Sequence, residues 1–348
     1  MLNELVQTVV SEGGSDLHLA EGRVPIIRVA GNLIPLTNKE KMTSAALDEI
    51  INVLLSGEKK ELFSKKNQVD FSYEHSKEAR FRGNAYIRRG EVSIALRHIP
   101  QHIRTIQELG LPDILETFTQ KKQGFFLVVG PTGNGKTTTL AAMVDLVNKT
   151  RLEHIITVED PIEYIFEPKK SIIDQREVRA DTPDFGTALQ GLFRQDVDVV
   201  MIGEMRTPET MSTAVTAAET GHLVYSTLHT NNAAQTIDRI IDSFPASQQG
   251  QIRLQLAESL AGIFSIRLLP CVSGGLVPAY ELLIANTAVS NLIRERRTHE
   301  INSVIETSSS EGMIDMNHVL TRLVQAGEIT VEDAYRYSVN PRTLQKMI

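Results

Sequence analysis

The run "GPTGNGKTT" (Gly130 to Thr138) has the spacing G-x-x-x-x-G-K-[ST], with Gly130, Gly135, Lys136 and Thr137 on the fixed positions. It follows the apolar run "FFLVV" and opens a helical pattern, the setting in which such a loop holds phosphate. Gly133 and Gly135 let the backbone wrap so that loop N–H groups and the helix N-terminus face phosphate oxygens. Pro131, Thr132 and Asn134 complete the loop, and Thr138 continues into the helix. Lys136 is placed to reach the outer phosphates, and the Thr137 hydroxyl suits Mg²⁺. The chemistry implied is binding of a nucleoside triphosphate such as ATP, with Mg²⁺ as its counter-ion.

Cleavage needs a group that acts on water. "DVDVVMIGEMR" (Asp196 to Arg206) is an apolar strand pattern ending in Gly203-Glu204. A carboxylate at the C-terminal edge of a parallel strand points into the crevice where ligands sit. Glu204 has no second acid directly before it, so one residue would position water, take its proton, or both. The alternative is a solvated strand-end acid. "VEDPIEY" follows the strand pattern "IIT" and holds Glu159, Asp160 and Glu163 at the same edge. Three carboxylates there suit Mg²⁺ and water, with Glu159 a nucleotide-site candidate and Glu163 a catalytic one; a surface-turn or capping role for Asp160 stays open.

"ETGHLVYSTLHTNNA" carries His222 and His229 seven residues apart in a strand pattern. Residues seven apart on a strand point to opposite faces and lie ~23 Å apart, so the two do not easily share one metal. His229 ends its strand on the edge that bears Glu204, where an imidazole reads a terminal phosphate. His222 begins the strand and acts either through a neighbouring subunit or in packing.

These side chains need a parallel sheet to hold them. From Gly124, short runs ("FFLVV", "IITVE", "VDVVMI", "HLVYSTL") alternate with helical stretches, the pattern of a parallel sheet with helices on both faces. Beyond residue 233 the chain reads as mainly helical, with one long run from Gln248 to Leu269, interrupted by "VSGG" and the strand "VPAYELLI". Before the loop, residues 1–98 read as a small α+β domain: a helix through Leu2, Leu5 and Val9, an extended "SDLHL", and a hairpin around Gly31-Asn32. "AALDEIINVLLSGEKKELF" reads as one amphipathic helix, followed by "QVDFSYEH", "RFRGNAYIRR" and "EVSIALRHI" with turns at "SKEA" and "RG". Residues 99–120 read as a linker, with Thr105–Glu108 as a capping box and Pro112 in the first turn of a short helix. Residues 121–285 then form the nucleotide-binding domain and 286–348 a helical C-terminal region.

Composition excludes several classes. The 348 residues carry a net charge of −7, which argues against a nucleic-acid binder, since phosphate contacts need clustered Lys and Arg. The single cysteine, Cys271, excludes a disulfide framework and a paired CxxC zinc ribbon. No apolar run approaches the ~18 residues of a membrane span, and the acidic start is not expected to act as a signal peptide. The expectation is a cytoplasmic protein without direct membrane insertion.

In order, the loop at Gly130, "VEDPIEY", "LFRQDVDVVMIGEMR" and "TAAETGHLVYSTLHT" resemble the Walker A, Asp box, Walker B and His box of the secretion-type ATPases of type II secretion and type IV pili. Within that family the chain is most similar to the pilus-retraction type, which lacks the tetracysteine zinc insert and long N-terminal extensions of the assembly type. The resemblance runs from "GGSDLHL" to "AVSNLIRE". It implies a PAS-like N-terminal domain, a RecA-like ATPase domain, a homohexamer with ATP between the two domains, and work at an inner-membrane pilus platform protein, with a paralogous ATPase as a further partner. It marks both His222 and His229, and it matches Arg82 and Arg97 to arginines that reach the nucleotide from the small domain, the alternative being surface-strand arginines. The implied function is ATP-driven domain motion powering pilus retraction and twitching motility. Alternatives are an accessory paralogue, an assembly or secretion ATPase, or a low-turnover nucleotide-controlled adaptor. Three departures stand out: Ser290 where the retraction type has Arg, Asn134 for a usual Ser, and Val197 for a usual Pro.

Overall fold

The computed structural model describes residues 1–29, 31–76, 79–99 and 102–348. It divides into two compact units, Met1–His102 and Ile103–Ile348. The turn expected at "SKEA" includes residues 77 and 78, and the start of the expected linker includes residues 100 and 101; both lie outside the described residues.

The first unit is an antiparallel sheet with helices. Its strands are β1 (Asp16–Ala20), β2 (Ile26–Val29), β3 (Asn32–Pro35), β4 (Gln68–Ser76), β5 (Ala79–Arg88) and β6 (Glu91–Ile99), in the order β3-β2-β1-β6-β5-β4. Alternation puts Leu17, Leu19, Phe81 and Leu96 into one core with Leu5, Val9, Leu47 and Ile50 of the helices Leu2–Ser11 and Ser44–Leu54. The β5–β6 turn is the two-residue Arg89-Gly90, both at positive φ (54° and 84°), the geometry that matches hairpin twist. The helix expected over "AALDEIINVLLSGEKKELF" is two helices, Ser44–Leu54 and Gly57–Lys66. Leu55 and Ser56 are extended, which buries Leu55 to 1% exposure, and the second helix buries no residue at all. Burial of one leucine outweighs continuation of a weakly amphipathic helix.

The second unit carries β7 (Gly124–Val129), β8 (His154–Glu159), β9 (Ile172–Glu177), β10 (Val199–Ile202), β11 (Leu223–Leu228), β12 (Leu260–Pro270) and β13 (Leu276–Ile284), in the order β13-β12-β7-β11-β10-β8-β9. Every neighbouring pair is parallel except β12–β13. Along β7, Phe125, Leu127 and Val129 enter one core while Phe126 and Val128 enter the other, so helices cover both faces.

Two strands differ from the expected pattern. The run from Gln248 to Leu269 is not one helix: the helix Ala246–Ser259 ends and β12 begins at Leu260. "LAGIFSI" pairs with β7 on one side and β13 on the other, and seven consecutive residues there are buried, a demand that helical periodicity cannot meet. The edge strand β9, polar and half-exposed, gave no periodic apolar signal. Within the stretch expected to be a linker, Ile106, Leu111, Leu115 and Phe118 belong to the second unit and are buried in its core. The Thr105–Glu108 box forms, with Thr105 N–H donating to Glu108 Oε2 (2.7 Å) and Glu108 N–H to Thr105 Oγ1 (3.2 Å), but it closes turns, and the short helix is Leu115–Thr119, three residues past Pro112. After residue 285 the chain is helical, from Thr287–Arg294 to Pro341–Leu344.

Candidate functional site

The loop after β7 turns into the helix Lys136–Thr150, with Gly135 as its N-cap at φ 82°. At Gly130 (φ 148°) an added Cβ would lie 2.3 Å from the Ile266 carbonyl oxygen of β12, so only glycine lets the loop leave the sheet so close to its neighbour. Asn134 fastens the loop from inside. Its Nδ2 donates to the Thr132 carbonyl (3.2 Å), and its Oδ1 accepts from the Leu268 N–H of β12 (2.8 Å). An amide in place of a small hydroxyl therefore ties the phosphate loop to a strand 134 residues onward.

Lys136 is buried, and its Nζ donates to the carbonyls of Gly130 (2.8 Å) and Pro131 (2.9 Å). Burial lowers its pKa, opposed by the charges of Glu204 and Glu163. Just beyond β11, His229 lies with Nδ1 3.4 Å from Lys136 Nζ and 3.4 Å from Thr132 Oγ1, and Nε2 3.1 Å from Glu204 Oε1. An ammonium has no acceptor, so Nδ1 takes the accepting role and the ring proton belongs on Nε2, facing the carboxylate. Glu204 leaves β10 through Gly203, whose carbonyl accepts from Thr227 Oγ1 (2.7 Å). Its Oε2 accepts from Arg206 Nη2 at 2.9 Å. Burial pushes the Glu204 carboxyl up, but Arg206 and His229 more than offset this, and its pKa is lowered. Half-buried at the sheet edge, it is held ionised and able to accept hydrogen bonds from water.

The acidic turn after β8 is not a cluster of three ligands. Glu159 is 3% exposed and braces the turn, accepting from Thr157 Oγ1 (2.7 Å), Gln175 Nε2 (3.2 Å) and the Glu163 N–H (3.5 Å). Burial pushes its carboxyl up to about 7 despite those bonds. Asp160 pairs with Arg179 at 3.3 Å. Only Glu163 retains a charge that acts on Lys136. Residues i and i+2 on a strand share a face, so Glu159 follows Thr157 into the interior. Among the described residues no group of three or more His, Cys, Asp or Glu could hold a metal. The donors that fit Mg²⁺ beside a phosphate are the half-buried Thr137 hydroxyl next to Lys136 and the Glu204 carboxylate, hard oxygens both. Thr138 Oγ1 meets Tyr164 Oη at 3.0 Å, joining the start of the helix to the acidic turn.

His222 is not brought to this group. It precedes β11 at the opposite strand end, with Nδ1 2.9 Å from the Ala217 carbonyl and its ring edge-on to Phe193. Within one chain its contacts are those of packing. Arg82 and Arg97 are cross-strand partners on β5 and β6 of the first unit, and Arg97 Nε is 3.0 Å from Asp16 Oδ1. Several residues around the site were not singled out from the sequence. Arg206 stands two residues after Glu204, and that spacing on an exposed edge was its only signal. Tyr164 had none. Glu281 of β13, 6% exposed, accepts from the Ala233 N–H (2.9 Å) that starts the helix Ala233–Asp242, four residues past His229. Burial pushes it up to about 7 as well.

A family model described as "Type II/IV secretion system protein" matches residues 1–338. The chain is 42% identical over 338 residues to the type IV pilus retractation ATPase PilT of Pseudomonas aeruginosa, covering 96% of each. It is 38% identical over 346 residues to the type IV pilus ATPase PilU of the same organism, covering 99% of this chain and 90% of that one. A crystal structure of the pilus retraction motor PilT with bound ADP superposes with a TM-score of 0.93 at 44% identity, covering 99% of each chain.

Proposed function

The chain belongs to the type II/IV secretion system protein family, and from that premise we propose that it is an ATPase motor, working as a homohexamer, that powers type IV pilus retraction. One observation carries the reading: a single imidazole spans the phosphate-loop lysine and the strand-end carboxylate, touching Lys136 at 3.4 Å and Glu204 at 3.1 Å. That arrangement links the group that feels the terminal phosphate to the group that handles water.

ATP lies with its phosphates on the N–H groups of residues 132–137 and on Lys136, whose Nζ exchanges the carbonyls of Gly130 and Pro131 for phosphate oxygens. Mg²⁺, held by Thr137, supplies charge neutralisation when bound. Glu204 orients the attacking water and takes its proton. His229 reads whether a γ-phosphate is present, and Glu163 tunes the charge around Lys136. Arg82 and Arg97 of the first unit neutralise charge that develops on the transferred phosphoryl group, an effect worth roughly 10³–10⁵ in rate elsewhere. Hydrolysis then drives the two units against each other, and the motion acts on a platform protein at the inner face of the cytoplasmic membrane. No described helix is long and apolar enough to cross a membrane.

A second reading, an accessory retraction ATPase, is favoured by Ser290. Its hydroxyl donates to the Ala257 carbonyl (2.8 Å), so the position that bears Arg in the retraction type is turned inward here. Fibre length and motility of cells lacking the gene separate the readings. Hyperpiliated, non-twitching cells support retraction; bald cells point to assembly; near-normal retraction points to an accessory role.

A further inference from the structure

The sheet of the first unit has a second face, opposite the one that buries Leu17 and Leu96. There, wholly within that unit, lies a cavity of about 210 Å³. Alternate residues of neighbouring strands converge on it: His18 of β1, Arg28 of β2, Tyr86 and Arg88 of β5, and Ser93 of β6, with Arg23 from the β1–β2 turn. The register explains the convergence, since Ser93 is the cross-strand partner of both Ala20 and Tyr86.

Three polar atoms of this one lining, His18 Nε2, Arg88 Nε and Ser93 Oγ, are buried without a hydrogen-bond partner. Ser93 is 1% exposed. Buried polar groups in native proteins are almost always paired, so orphans gathered in one cavity point to an occupant that pairs them. Charge says what kind. No carboxylate lines the cavity. Arg88 is paired with Glu91 at 3.3 Å, and Asp16 is held by Arg97 at 3.0 Å, closer than its 3.8 Å to Arg28. Arg28 Nη1 also donates to the Gly31 carbonyl at 2.6 Å, but Arg23, Arg28, Arg88 and Arg97 together outnumber Asp16 and Glu91 by two, an excess of positive charge in a chain whose net charge is −7.

Two excess cations match the roughly −1.5 to −2 charge of a phosphate monoester better than a single carboxylate. At about 210 Å³ the cavity falls below the ~300–1,000 Å³ of pockets for drug-sized ligands and has room for a phosphate with a small organic group. At the rim, Leu33 and Tyr86 are 53% and 37% exposed and offer apolar and aromatic surface.

We propose that this cavity is a binding site for a small organic phosphate. The phosphate sits on the Arg23 and Arg28 guanidiniums, with Arg88 Nε, the Ser93 hydroxyl and His18 as further donors, and the organic part lies on Tyr86 and Leu33. All of its lining residues belong to the first unit.

The test is calorimetric titration of the full-length Lys136→Ala protein, which silences the phosphate loop, with phenyl phosphate. Inorganic phosphate and phenol serve as the two halves of the probe. The expected result is saturable one-to-one binding, at least roughly tenfold weaker for either half alone. Arg28→Ala and Ser93→Ala, each in the Lys136→Ala background, should weaken it by about tenfold or more while thermal unfolding stays cooperative. Ser93→Ala removes only an unpaired hydroxyl, so it keeps the test sound even where an arginine variant folds poorly. No saturation by about 10 mM phenyl phosphate, equal binding of either half, or unchanged binding by the Ser93→Ala protein overturns the proposal.

Discussion

His229 holds the site together at the scale of single residues, because its two ring nitrogens face groups of opposite charge. Replacing it with alanine removes the link between Lys136 and Glu204 without touching either. His229→Ala is expected to lower phosphate release by roughly 10²-fold, comparable to losing one preorganised donor, while nucleotide binding changes far less. Fluorescent-nucleotide titration beside a phosphate-release assay separates the two effects. Glu281 makes a different prediction. Its pKa is raised by burial from 4.5 to about 7, so the folded chain binds that proton more tightly than the unfolded one. The stability this contributes is full below about 4.5 and is lost as pH rises through about 7. Glu281→Gln keeps an oxygen for the Ala233 N–H and removes the ionisation. It should match the wild type near pH 5 and be more stable near pH 8, by at most ~3 kcal/mol; pH-dependent melting curves check this, and parallel curves for the two proteins would refute it. The loop residues, Glu204 and His229 were legible in the sequence because short spacing and strand ends fix them. The inward turn of Glu159 was not. It depends on Gln175, which arrives from β9, a strand that alternation did not reveal.

At the scale of elements, helix and strand compete most visibly over residues 248–269. Its first half is rich in glutamine and buries Ile252, Leu256 and Ala257 at helical spacing, and the structure keeps it helical up to Ser259. Its second half, from Leu260 to Ile266, is apolar except for Ser265, and a place between β7 and β13 buries all seven residues. Periodicity alone cannot separate a buried helix from a buried strand over so short a run. The consequence reaches the site, because β12 supplies both the Ile266 carbonyl that demands Gly130 and the Leu268 N–H that Asn134 accepts. Asn134→Ala leaves that N–H unpaired and frees the loop. A stability loss of about 1–3 kcal/mol is expected, together with weaker ATP binding. Denaturant unfolding and nucleotide titration measure both, and unaltered affinity would show that the loop needs no tie to β12. The break at Leu55 follows the same logic, with one buried leucine deciding where a helix ends.

For the whole molecule, the two units carry different parts of one proposed reaction. The parallel sheet holds Lys136, Glu204 and His229 at one edge, while the antiparallel sheet bears Arg82 and Arg97 opposite each other. Ordered motifs and alternating patterns made both architectures legible. What spacing could not supply was the long-range pairing that sets strand order, β12 beside β7 above all. Arg82→Ala and Arg97→Ala should each cut turnover by ten-fold or more with ATP binding largely kept, since the gain from such an arginine falls in the transition state. An unchanged mass in light scattering would keep assembly apart from chemistry. Glu204 is the group proposed to prepare water, and the most direct measurement is phosphate release by the Glu204→Gln protein at saturating ATP. A fall of roughly 10²–10⁴ with ATP still bound is the predicted result. Turnover equal to the wild type would contradict it.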